Sequence, residues 1–164
     1  MLAASELLEP TSYKEAIESP ENLQWKIAMD EENAALSGNS TWVLTALPPG
    51  RSAIANKWVH KRKINSDSSI RYNARLVIKG YEQRPGIDYM ETFAPVAMLK
   101  TLQILLACAA HHGWHVHHMD VKSAFLNPIL SQAVYTLQPE GFELDDRVCR
   151  LQKALYGLKQ APRK

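Results

Sequence analysis

The sequence predicts an α+β fold, and three observations carry that expectation. Apolar residues recur at helical spacing shortly after residue 20 and again around residue 100. Around these helices, short runs rich in Val, Ile, Thr, Trp and Tyr are cut by turn residues, the pattern expected of strands. The most basic part of the chain is a pair of such runs flanking the turn-rich "SDSS".

The elements follow in order. Residues 1–18 show no clear periodicity and read as a tether. "SPENLQWKIAMDEENAALSG" reads as a helix with Ser19 as N-cap, Pro20 in the first turn and Gly38 at its end. Its apolar face is Trp25, Ala28, Met29, Ala35 and Leu36. "TWVLTAL" reads as a strand ended by Pro48-Pro49-Gly50, and "ANKWVHKRKIN" with "IRYNARLVIKG" as a hairpin. "RPGIDYMETFAPV" is a loop with proline near both ends. Residues 97–112 form a second helix, stopped by Gly113. Lys100 and Gln103 interrupt its apolar run, so it reads as a core helix and not a membrane span. "WHVHHMDV", "AVYTLQP" and "RVCRLQKAL" read as strands, and "YGLKQAPRK" opens a further element.

Length and composition bound the function. A chain of 164 residues, 46% hydrophobic and 22% charged, suits one globular domain. "MLAASELLEP" has neither a basic n-region nor a long apolar stretch, so an intracellular protein, cytoplasmic or nuclear and not secreted, is expected. Cys108 and Cys149 have no metal-ligand spacing and read as reduced, buried thiols. Residues 1–50 carry two basic and eight acidic side chains, whereas residues 51–84 carry nine basic and two acidic. Phosphate is the natural partner of that basic segment, and a solvated hairpin face is the plainer alternative.

One short stretch, "HHMDVKSAFLNP" at residues 117–128, places Asp120 after histidines and apolar residues. By itself such an aspartate reads as a turn or cap residue, and Phe125 as core. His111, His112, His115, His117 and His118 crowd nearby, but no cysteine or carboxylate stands at ligand spacing, so ordinary polar surface is the expectation.

Taken in series, "ARLVIKGYEQRPGIDYMETFAPV", "MDVKSAFL" and "VCRLQKALYGLKQAPR" resemble the reverse transcriptase domain of Ty1/copia-type retrotransposon Pol polyproteins. The upstream "WKIAMDEENAAL", "NSTWVLTALPPG" and "KWVHKRKIN" are similar to the same family's leading segment, so the likeness runs from about residue 20 to the last residue.

The resemblance implies a right-hand polymerase fold: residues 19–113 as leading helix and fingers, residues 114–164 as an incomplete palm. It implies nucleotidyl transfer from dNTPs to a primer on an RNA or DNA template, with Mg²⁺ clamping the attacking and leaving oxygens. Asp120 would be the catalytic carboxylate and metal ligand, and the Val121 carbonyl a second metal contact. Phe125 would stand where a ribose 2′-hydroxyl would sit, with Ala124 leaving room beside it. Arg75 would meet the triphosphate, Gly157 and Lys159 would help position the nucleotide, and Lys61, Arg62 and Lys63 would contact nucleic acid.

The family's Tyr-x-Asp-Asp hairpin is not in the sequence, and Asp145-Asp146 read as an exposed turn. The expectation is therefore a piece of a longer polyprotein, lacking further palm, thumb and RNase H portions, with weak or absent Mg²⁺ occupancy and no polymerisation alone. A non-catalytic nucleic-acid-binding remnant and a functionless relic are the alternatives. Departures from the family pattern point the same way: Asn73 stands for a lysine, Gln103 for an arginine, and Ser68 and Pro128 for glycines.

Overall fold

The computed structural model describes residues 8–90, 98–117, 119 and 129–161. A short helix α1 (Tyr13–Glu18) leads into the long helix α2 (Asn22–Gly38), then strand β1 (Trp42–Thr45). The hairpin strands are β2 (Asn56–Ile64) and β3 (Ile70–Ile78), followed by a 3₁₀ turn at Gly80–Glu82. Helix α3 (Leu99–His112) and strands β4 (Ile129–Thr136) and β5 (Val148–Lys153) complete the order.

Helix α2 forms where the apolar spacing demands it: Trp25, Ala28, Met29 and Leu36 are buried, while Ala35 faces solvent. Ser19 is not its N-cap. Ser19 closes α1, its hydroxyl donating to the Ala16 carbonyl at 2.8 Å, and Glu21 stands at the α2 N-cap. The reason is that the stretch expected to be a tether contains α1, capped by the Ser12 hydroxyl at the Glu15 N–H (3.2 Å) and anchored by the fully buried Ala16. Six residues are too few to announce themselves by period.

In the antiparallel hairpin Trp58, His60, Ala74, Leu76 and Ile78 turn inward, as strand alternation requires. Its tip is closed by Asp67, whose carboxylate accepts from the Ser69 N–H and hydroxyl (3.0 and 2.6 Å). Ser68 takes φ 63° there, the left-handed conformation that favours glycine. The second sheet has the order β1-β5-β4, all antiparallel, with an irregularity in β4 between Ile129 and Val134. Ile54 ties the two sheets together: its N–H donates to the Tyr135 carbonyl (2.8 Å), and its carbonyl accepts from the Leu137 N–H (3.1 Å). The core lies between α2, the inner hairpin face and the β4–β5 pair, with Trp58, Leu36, Leu76, Ile78, Val134, Leu151 and Leu155 at its centre.

Two expectations need correction. Helix α3 forms, but among its described residues Ala109 alone is buried, whereas Leu99, Leu102, Ile104 and Leu105 are at least half exposed. An apolar helix is driven into a core only where another element covers it, and no described element does so. The strand expected from residue 114 is absent over Trp114–His117, which are exposed and irregular. Gly113 ends α3 in the left-handed conformation (φ 65°), and Trp114 stacks back on His112 at 5.0 Å instead of meeting a ladder partner.

Candidate nucleotide and nucleic-acid site

Strand alternation puts Lys57, Lys61 and Lys63 of β2 and Arg71 and Arg75 of β3 on the outer face of the hairpin. The register sets Arg75 opposite Val59 and Lys63 opposite Arg71. Arg75 is exposed, and its guanidinium carbon lies 5.0 Å from the centre of the Tyr156 ring, so the planar group is steadied by a π face. On the α2 side, burial pushes the Glu32 carboxyl above its ordinary range, against the pull of the Leu76 N–H and the Arg75 charge.

Tyr156 is held there by backbone. The Ile78 N–H donates to the Tyr156 carbonyl at 2.8 Å, joining the end of β3 to the turn after β5. Gly157 follows with φ 88°, and a Cβ on it would overlap the Ile78 carbonyl. A Cβ on Gly80 would in turn overlap the Gly157 carbonyl. Two glycines thus let the 3₁₀ turn and the "YGLK" turn meet backbone to backbone.

Lys159 is fixed at both ends. Its N–H donates to Gln83 Oε1 (2.8 Å), and its Nζ donates to the Tyr89 hydroxyl (3.2 Å) while lying 4.8 Å from that ring's centre. Gln83 also donates to Gln160 Oε1 (2.9 Å), and Gln160 to the Asp88 carbonyl (3.1 Å). The buried Asp88 carboxylate accepts from the Arg84 N–H (2.8 Å) and from Arg51 (3.3 Å). Arg51 also donates to the Ala133 carbonyl and stacks over Tyr135. Residues 83–89 and 156–160, far apart in sequence, are therefore joined in one hydrogen-bond network that includes Asp88.

The three neighbouring basic residues of β2 divide. Lys63 is exposed, and so is Lys61, whose Nζ lies 3.0 Å from Glu9 Oε2. The Arg62 N–H donates to the same carboxylate (2.9 Å), which holds Glu9 below the usual carboxylate range. Arg62 is a correction to the expected nucleic-acid face. Alternation turns it inward, where it pairs with Glu21 at 3.1 Å and lies over the Trp25 and Tyr72 rings. Its position is that of a structural cation.

Asp120, Val121, Ala124 and Phe125 lie outside the described residues. Among the described residues no three His, Cys, Asp or Glu side chains cluster in a way that could hold a metal ion. Asp145 and Asp146 stand in an exposed bend, Asp145 paired with Arg147 at 2.6 Å and held low by it. A groove of about 640 Å³ between Asn39, Gln132, Arg150 and Lys153 includes none of the expected site residues. Tyr156, Gln83, Asp88 and Gln160 were missed by sequence reasoning. Their signal is a polar or aromatic residue in one of two glycine-containing turn segments, residues 80–89 and 156–160, which points to no partner until the turns are seen together.

Comparisons with known proteins show the family. The profile of the family described as reverse transcriptase (RNA-dependent DNA polymerase) matches residues 39–164. The chain is 46% identical to the retrovirus-related Pol polyprotein from transposon RE2 of Arabidopsis thaliana, over 98% of this chain and 11% of that protein. It is also 46% identical to the Pol polyprotein from transposon TNT 1-94 of Nicotiana tabacum, over 94% of this chain and 12% of that protein. A 29% identity to the transposon Ty1-BL Gag-Pol polyprotein of Saccharomyces cerevisiae covers 55% of this chain and 5% of that protein. The chain belongs to the reverse transcriptase family of Ty1/copia-type retrotransposon Pol polyproteins. It spans only about a tenth of the length of these plant relatives. No solved structure matches it. No helix of the described residues is long and apolar enough to cross a membrane.

Proposed function

We propose that this chain supplies the nucleotide- and template-handling part of an RNA-directed DNA polymerase working inside the cell, in cytoplasm or nucleus, within a longer Pol polyprotein. The observation that carries the reading is Arg75 stacked on Tyr156 beside Gly157. A guanidinium braced on one face keeps its N–H edge for phosphate oxygens, which it binds bidentately. Lys159 and the exposed Gly157 lie on the same turn and would guide the rest of the nucleotide. Lys61 and Lys63 would meet the nucleic-acid backbone.

In this proposal the β2–β3 hairpin is the fingers, within residues 19–113, and the β1-β5-β4 sheet is part of a palm completed from residue 114 onward. Asp120, with the Val121 carbonyl, would hold Mg²⁺, and Phe125 beside Ala124 would exclude a 2′-hydroxyl. Mg²⁺ when bound would neutralise charge on the attacking and leaving oxygens. The partners are a primer–template, dNTPs and the remaining Pol portions. The reaction needs carboxylates from more than one strand, and the 164 residues contain no Tyr-x-Asp-Asp.

Primer extension tests this. A version lengthened through a Tyr-x-Asp-Asp segment is expected to copy a template and to lose that ability with Asp120→Asn or Arg75→Ala. The 164-residue chain is expected to copy nothing. Template copying by the 164-residue chain, or an active lengthened version indifferent to Asp120→Asn, contradicts the proposal.

A further inference from the structure

We propose that Tyr81 is a stacking post for an unpaired base of a polynucleotide strand lying on the basic face. This rests on the nucleic-acid reading above and adds a residue to it. Tyr81 is 75% exposed, and among the described residues its ring meets no other ring or cation. One exposed tyrosine is ordinary. Its mounting is what sets it apart.

The turn that carries Tyr81 is fixed on every side. The Lys79 N–H donates to the Ala55 carbonyl (2.9 Å), and the Glu82 N–H to the Lys79 carbonyl (2.9 Å). Glu82 turns its carboxylate onto the Ala55 N–H (3.0 Å). Gln83, buried, is locked to Lys159 and Gln160, and Gly80 touches the Gly157 backbone. The backbone under the ring is already ordered, so only the two side-chain torsions of Tyr81 lose freedom when a base stacks on it.

Charge then selects the occupant. Residues 51–84 carry nine basic and two acidic side chains. Of the two acids, Glu82 is engaged with backbone and Asp67 lies at the far hairpin tip. The Gly80–Gly157 contact joins the turn that carries Tyr81 to the turn that carries Tyr156 and Lys159, whose side chains belong to the Arg75–Tyr156 stack and the Lys159–Tyr89 pair. An open ring carried on a basic segment fits a strand with phosphates on its backbone and a π face on each base. An apolar partner would have to desolvate those cations.

The test compares three DNA probes by equilibrium binding: a blunt duplex, the same duplex with a single-stranded extension, and that extension made abasic. The natural chain is expected to bind the extended duplex about tenfold more tightly than its abasic counterpart. Tyr81→Ala is expected to lose that difference while keeping its affinity for the blunt duplex, and Tyr81→Phe to retain the difference. Equal binding of the natural chain to extended and abasic probes overturns the proposal, as does a Tyr81→Ala chain that still distinguishes them. Failure to bind even the blunt duplex would overturn the underlying nucleic-acid reading as well, so the two failures are separable.

Discussion

Arg75 and Tyr156, eighty-one positions apart, are brought within 5.0 Å by one backbone hydrogen bond and two glycines that permit close approach. The hairpin supplies the cation, the turn after β5 supplies the ring beneath it, and neither element makes the site alone.

That dependence makes the glycines sensitive. Gly157→Ala would put a Cβ into the Ile78 carbonyl at a φ of 88°. Gly80→Ala would strike the Gly157 carbonyl. Each is expected to cost about 2 kcal/mol or more in a denaturant titration. Gly50→Ala, a glycine of similar φ in open space, is expected to cost less. Equal losses at Gly157 and Gly50 would mean that the backbone contact at Gly157 contributes nothing beyond φ strain, and no loss at Gly80 would mean that the Gly80–Gly157 contact can give way freely.

Arg62 and Lys63 should part company although they are adjacent. Arg62→Met strips Glu21 of its partner and disturbs the cation over Trp25 and Tyr72, so a stability loss of about 1–3 kcal/mol is expected. Lys63→Ala should leave stability nearly unchanged and lower the salt slope of nucleic-acid binding by about one. Lys61→Ala should weaken binding less than Lys63→Ala, because Glu9 already shares the Lys61 charge. Thermal melts and salt-titrated binding of the three variants check this, and identical behaviour at positions 62 and 63 would refute the inward placement of Arg62.

His60 gives the fold a pH dependence with a definite sign. Its Nδ1 lies 3.1 Å from the Pro10 carbonyl and donates to it, while Nε2 is buried without a partner among the described residues. Burial pushes its pKa below the ordinary 6.5, partly opposed by the bond to Pro10 and by Glu15. The unfolded chain therefore binds the proton first. Stability from this site is complete above pH 6.5 and is lost as pH falls from there towards the lower folded value, at no more than about 1.4 kcal/mol per pH unit. Melting temperatures across that window should fall in the natural chain and fall less with His60→Gln. Parallel curves would exclude His60 as the cause.

Much of the local structure was legible in the sequence because it is periodic. The spacing of Trp25, Ala28, Met29 and Leu36 marks α2, and the alternation through Trp58, His60, Ala74, Leu76 and Ile78 marks the hairpin. Arg75, Gly157 and Lys159 could be named from motif resemblance, and the structure sets all three around the joined turns. Asp88 could not be seen: its partner Arg51 is thirty-seven positions away, and such a contact leaves no local pattern. Arg62 was misread for the opposite reason. A run of three cations looks like one surface, but a strand sends every second residue to the other face. The exposure of α3 was hidden because an apolar run declares that it wants cover, without saying what provides it.

The most direct test of the central claim is a titration of the ¹⁵N-labelled chain with a deoxynucleoside triphosphate, followed by amide chemical shifts. Shifts are expected to centre on Arg75, Tyr156, Gly157 and Lys159 and to disappear with Arg75→Ala. Shifts confined to other surfaces, or none at saturating nucleotide, would contradict it.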